Sequence, residues 1–203
     1  MRRGNYDEEH VKIFCSEICP RQDSIIIECD PQYDAPENEC FELVEEKVKE
    51  FGGSQQLGWA IWERPGVFIE AEFHAVWKKP DGTFLDLNPR PIQFKIDSIL
   101  FVPDERLKYE GKQIDNFRKA LVKDKDVVRF IFLREKHFKV LNCGDRAYEY
   151  GEISLPPKEK KEYEKIMKEL VRLQKTIDRR YGRSNAQQSV QEGFATRGIF
   201  VMR

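Results

Sequence analysis

The chain has 203 residues, of which 40% are hydrophobic and 35% charged, so it lies outside the disordered range and can build one core of ordinary size. A formal net charge of -1 gives no reason to expect a general polyanion binder, and no specific nucleic-acid signal stands out. No apolar run approaches a bilayer-crossing length, which sets the expectation of no membrane partner and a cytoplasmic location.

In chain order, Ser24 to Cys29 (SIIIEC) reads as a short strand followed by a turn or loop. A helix is expected from about Glu37 to Phe51, with Asp34 or Asn38 competing as its cap. Phe41, Val44, Val48 and Phe51 form its apolar stripe, and Gly52-Gly53 ends it. Two strands follow, LGWAIWE and VFIEAEFHAVWKK, parted by Arg64-Pro65-Gly66.

A third strand, TFLDLN, comes after Pro80-Asp81-Gly82. That turn suits a three-residue hairpin loop with a bulged glycine. If Lys79 pairs with Thr83, Ala75 lies opposite Leu87 and His74 opposite Asn88. Asp86 then shares a sheet face with His74, one diagonal away, whereas a two-residue loop would put the two on opposite faces.

Further on, SILFVP reads as a strand and Gln113 to Leu121 as a helix. Val127 to Leu133 fits either a strand or a buried helical segment. A long helix is expected from Pro156-Pro157 to about Tyr181, with GIFVM near the end as a docking strand. The fold class is therefore α+β, with residues 1–150 as a single catalytic-type domain and 151–203 as a charged C-terminal helix and tail. Residues 156–183 carry an excess of five positive charges, a solvated helix face or a surface along which a partner could lie.

Five cysteines, Cys15, Cys19, Cys29, Cys40 and Cys143, are an odd number in a chain able to build its own core. They argue for thiol chemistry, metal binding or burial over a secreted disulfide scaffold. Cys40, at a helix start, is the best nucleophile candidate, because unpaired backbone N–H groups and the helix dipole stabilise a thiolate there. His74 is the candidate base and Asp86 the orienting acid, with Asn88 as a rival third member. Each has a plainer reading: a core cysteine, a structural histidine, a solvent-facing strand aspartate. Glu39 beside the thiolate works against the helix field. His10, Cys15, Cys19 and Cys29 could alternatively hold a structural zinc. The absence of a P-loop, a dinucleotide-binding glycine pattern and H-E-x-x-H leaves no cofactor expected.

The stretch EFHAVWKKPDGTFLDLNP resembles the His and Asp strands of transglutaminase-like and papain-like cysteine enzymes, with Cys40 matching the nucleophile at the helix start. The likeness spans about residues 36–90. It implies a Cys-bearing helix packed on an antiparallel sheet, a Cys40–His74–Asp86 triad and a protein or peptide substrate. It would also imply an oxyanion glutamine, for which Gln22, Gln32, Gln55 and Gln56 are candidates. The function expected is acyl transfer by a cysteine: a thiol peptidase, amidase, deamidase or transglutaminase-type activity. The alternative is a noncatalytic protein-binding module that keeps this core.

Overall fold

The computed structural model describes residues 1–35, 39–90, 96–112, 114–149 and 153–182. It divides into two compact units. One is formed by Arg2–Glu63 with Ile69–Glu110, the other by Met1, Arg64–Phe68 and the chain from Gly111. Residues 111–149 thus group with the long C-terminal helix, not with the part that carries Cys40.

The first unit is built on strands β1 (Arg2–Arg3), β2 (Ile25–Cys29), β3 (Ser54–Arg64), β4 (Phe68–Lys78), β5 (Phe84–Asp86) and β6 (Ser98–Pro103), with helices α1 (Glu9–Ile18) and α2 (Cys40–Phe51). Strands β3, β6, β2, β5 and β4 follow one another in the sheet, and β3 also pairs with β4. The sheet therefore closes on itself as a barrel, in place of the antiparallel papain-type or transglutaminase-type sheet that the resemblance implies. Antiparallel pairing sets Ile27 against Ile99 and Ala60 against Phe101, while β2 and β5 run parallel with Cys29 beside Asp86. Fully buried Ile27, Ile61, Ile69, Leu87, Ile99 and Phe101 fill this unit.

The turn between β4 and β5 has the expected chemistry. Lys79 N–H donates to Thr83 O at 2.8 Å, and Gly82, at φ +87°, takes the left-handed position. Trp77 consequently faces Leu85, and Lys78 faces Phe84, the register read from the sequence.

In the second unit, β7 (Phe117–Ala120) precedes α3 (Lys125–Leu141), a short 3-10 turn (Gly144–Tyr148) and α4 (Pro157–Tyr181). The expected helix over Gln113 to Leu121 is corrected here: Phe117–Ala120 is a strand, and the following Leu121 N–H donates to Val67 O at 2.8 Å. Backbone pairing outweighs the local helix preference of Arg-Lys-Ala-Leu. The undecided segment 127–133 is helical, started by Asp124, whose side chain accepts from Asp126 N–H at 2.8 Å.

Proline at the first position pre-sets α4, and its buried Ile166, Leu170, Leu173 and Ile177 recur at spacings of four, three and four. They pack with Val127, Phe130, Ile131 and Leu133 of α3. Arg129–Glu169 at 2.9 Å and Lys136–Glu162 at 2.6 Å fix the two helices as antiparallel neighbours. Leu170→Ala should cost about 3 kcal/mol of stability, since a fully buried Leu leaves a cavity. Val171→Ala next door should change the urea midpoint little, because Val171 is 41% exposed. The GIFVM stretch lies outside the described residues.

Candidate active site

Cys40 is the first residue of α2, with Glu39 as its N-cap and Glu42 in the first turn. Asn38, the expected cap, lies outside the described residues, and the Glu39 side chain makes no cap hydrogen bond. Among the described residues, therefore, no side chain competes with a negative charge near the thiol for the first-turn backbone N–H groups. The expected apolar stripe is only partly buried: Phe41 and Val44 are inside, while Phe51 is half exposed. Phe41 anchors the turn by stacking on Tyr109 at 4.0 Å and packing against Phe73 at 4.8 Å.

His74 and Asp86 sit on adjacent antiparallel strands of the barrel. The diagonal placement brings His74 Nε2 within 2.9 Å of Asp86 Oδ1. The Cys40 side chain lies close enough to the imidazole to raise its pKa. Nε2 being engaged by Asp86, Nδ1 is the ring nitrogen left to serve the thiol. Cys40, His74 and Asp86 are 4%, 1% and 0% exposed, so their mutual polarity acts without screening by bulk water.

Asp86 is held by more than the histidine. Its Oδ2 accepts from Arg90 at 2.6 Å and from the Cys29 thiol at 3.5 Å, and the Asn88 backbone N–H donates to Oδ1 at 3.2 Å. Burial alone would push this carboxyl up. The His74 ring and the Arg90 guanidinium outweigh it and hold Asp86 well below the usual carboxylate range. Burial likewise pulls His74 down, but the Cys40 sulfur and Asp86 together raise it, favouring the imidazolium. Burial, then the Asp86 charge, pushes Cys29 up to about 12, which keeps it a thiol donor.

Asn88 is almost fully buried, yet it meets Asp86 through its backbone, and its side-chain Oδ1 has no hydrogen-bond partner among the described residues. Glu72, two residues before His74 on the same strand, accepts from Trp62 Nε1 at 2.6 Å. Of the four glutamines, Gln55 comes back to the cysteine turn, where its Nε2 donates to Phe41 O at 2.8 Å. Gln32 bonds Asp30 O and Gln56 bonds Leu57 O through their side-chain amides.

Two contributors escape sequence reasoning, Arg90 and Cys29. The only trace of Arg90 is its place four residues after Asp86. Cys29 faces Asp86 through a parallel strand pair that no local pattern announces.

The four residues considered for zinc do not come together. Cys19 lies against Pro103 O and Arg106, Cys29 against Asp86, and Cys15 is buried in α1. Among the described residues, the group with metal-compatible spacing is Glu8, His10 and Glu63, whose ligand atoms lie within 4.8 Å of one another. Arg2 already bridges its two carboxylates, at 2.5 Å to Glu8 and 2.7 Å to Glu63, and His10 Nε2 meets Glu63 at 3.0 Å. An internal ion network accounts for all three.

Among the described residues, no helix is long and apolar enough to cross a membrane. No family model matches the chain, and neither a curated protein nor a solved structure matches it. What stands on the geometry alone is an α+β chain with a Cys–His–Asp arrangement capable of cysteine chemistry.

Proposed function

We propose that this chain is a cysteine-dependent acyl-transfer enzyme acting on a peptide or carboxamide bond. The observation that carries the reading is the alignment of a helix-start thiol, an imidazole and an ionised carboxylate within one buried cluster. Cys40 Sγ attacks the carbonyl carbon while its proton resides on His74 Nδ1. The tetrahedral intermediate collapses as His74 returns that proton to the leaving amine, giving a thioester. Water, or a substrate amine, then attacks the thioester carbonyl, losing its proton to His74, and Cys40 is released as thiol. Asp86 keeps Nε2 as the donor nitrogen and offsets the positive charge on the ring. The Cys40 backbone N–H is the oxyanion donor best placed by the helix start. Peptidase, amidase, deamidase and transglutaminase-type outcomes share these steps and differ in the carbonyl donor and the acceptor. A protein or peptide is the substrate this reading implies.

The near-complete burial of Cys40 and His74 favours a second reading, a binding module that retains the cluster as a structural core. Alkylation separates the two. In the folded protein at pH 6–7, iodoacetamide should modify Cys40, located by peptide mass spectrometry, at least about tenfold faster in wild type than in His74→Ala. Cys40 inert to the reagent, or equally reactive in both proteins, would sink the catalytic proposal.

A further inference from the structure

The near-neutral total charge conceals a strong segregation. Residues 1–110 carry 13 Lys and Arg against 23 Asp and Glu, whereas residues 111–182 carry 19 against 12. Within that basic part the structure sorts the charges again. The acidic residues of α4 are mostly turned to partners in the same unit: Glu159 to Arg146, Glu162 to Lys136, Glu169 to Arg129 and Asp178 to Arg64.

The cations go the other way. Lys161, Lys165, Lys168, Arg172, Lys175 and Arg179 are all exposed and follow one another at alternating spacings of four and three. At about 100° per residue they fall within an arc of about 80°, opposite the buried Ile166, Leu170, Leu173 and Ile177. They form one unbroken row about 27 Å long, with a positive charge roughly every 5 Å. Among the described residues, Arg172 alone of the six has a carboxylate within 4.0 Å, Glu169 at 3.9 Å. Only Glu164 breaks the sign on the exposed part of this helix.

We propose that the outer face of α4 is a binding surface for duplex DNA, held through the phosphate backbone without base readout. A regular linear row of cations on a convex ridge matches a regular linear polyanion with a groove. An α-helix with its side chains is about 10–12 Å across, and the B-form major groove is about 12 Å wide. The long Lys and Arg side chains then reach phosphates on both walls. Exposed Asn or Gln, the side chains that read adenine, are absent from this face of the helix, so the contact is sequence-independent. A membrane surface fits less well, because the apolar residues that would enter it are buried against α3. Duplex RNA fits less well too, because its major groove is too narrow for a helix.

The test uses the full chain and a fluorescein-labelled duplex of random sequence, about two helical turns long, read by anisotropy. Binding is expected at 50 mM NaCl and should weaken by roughly 10³-fold at 200 mM, the loss anticipated for about six phosphate contacts. Lys161→Glu, Lys168→Glu and Lys175→Glu combined should abolish it while leaving the helical circular dichroism unchanged. Glu164→Lys, which reverses the one exposed acidic residue of the helix, should instead tighten binding. No binding at 50 mM NaCl, or binding indifferent to the triple reversal, would overturn the proposal. So would tighter binding to the matched RNA duplex, to poly-glutamate or to phosphatidylserine vesicles.

Discussion

Replacing Asp86 by Ala is expected to remove about 3–5 kcal/mol of stability, the usual cost of stranding one side of a buried ion pair. The substitution leaves Arg90, whose side chain is 13% exposed, and the imidazole of His74 without their shared anion. Arg90 would keep its bond to Asn88 O at 3.3 Å and its place over the Trp62 ring, but neither carries a full negative charge, and its buried Nη2 has no hydrogen-bond partner among the described residues. Asp86→Asn keeps the volume and an acceptor for His74 but loses the charge, and should cost less with the same sign. Tryptophan fluorescence reports the right unit, since Trp59, Trp62 and Trp77 all lie in it. The pH dependence follows from the depressed folded-state pKa of Asp86. Its contribution is complete above the unfolded value near 4 and is lost as pH falls below that. His74 works in the opposite sense: its raised pKa gives a contribution complete below about 6.5 and lost as pH climbs. Urea midpoints from pH 3 to 7 should therefore fall on the acid side in wild type and flatten in Asp86→Asn. Equal midpoints for wild type and Asp86→Ala at pH 7 would show that the cluster holds nothing together.

Arg64→Ala should destabilise the helical unit by a similar amount, about 3–5 kcal/mol. Its guanidinium is nearly fully buried, pairs with Asp178 at 2.9 Å, and donates to the carbonyls of Ile177 and Gly182 at the end of α4. One side chain thus reaches the Gly182 carbonyl just past the helix end and neutralises a carboxylate. Truncation removes the donor from those acceptors and the counter-charge from Asp178. Arg64→Met, which fills the volume without the charge, should recover part of the loss. Thermal unfolding followed at 222 nm decides it, and an unchanged midpoint in Arg64→Ala would refute the capping role.

Much of the candidate site can be read from residues because it depends on local rules. Pro80-Asp81-Gly82 fixes a loop length, the loop length fixes a register, and the register decides whether His74 and Asp86 share a face. The long helix is equally open, since Pro156-Pro157 and the apolar spacing both act within a few residues. The parts that stay hidden depend on distant pairing. Helix α1 is not legible, its Val11, Phe14 and Cys15 being buried amid a polar, cap-free stretch. Closure of the barrel needs β3 to pair at once with β4 and β6, and Arg90 finds Asp86 only through an irregular segment. The Phe117–Ala120 strand shows the same limit, because the backbone partner of the adjoining Leu121 is the distant Val67.

Helix α2 has the geometry of a lever. Its far end is clamped to the strand that carries the histidine, where Trp77 Nε1 donates to Gly52 O at 2.9 Å. Next to the clamp, Gly53 at φ +83° lies so close to the Lys78 carbonyl that a Cβ there would collide with it. The arm from this fulcrum to Cys40 is about 17 Å, so a tilt of about 5° would swing the thiol by about 1.5 Å. Under the proposed acyl-transfer chemistry, misplacements of that size are worth about a hundredfold in rate. Substitutions at Gly53, a helix-length away from the chemistry, would thus act as a trim on the reach between sulfur and imidazole.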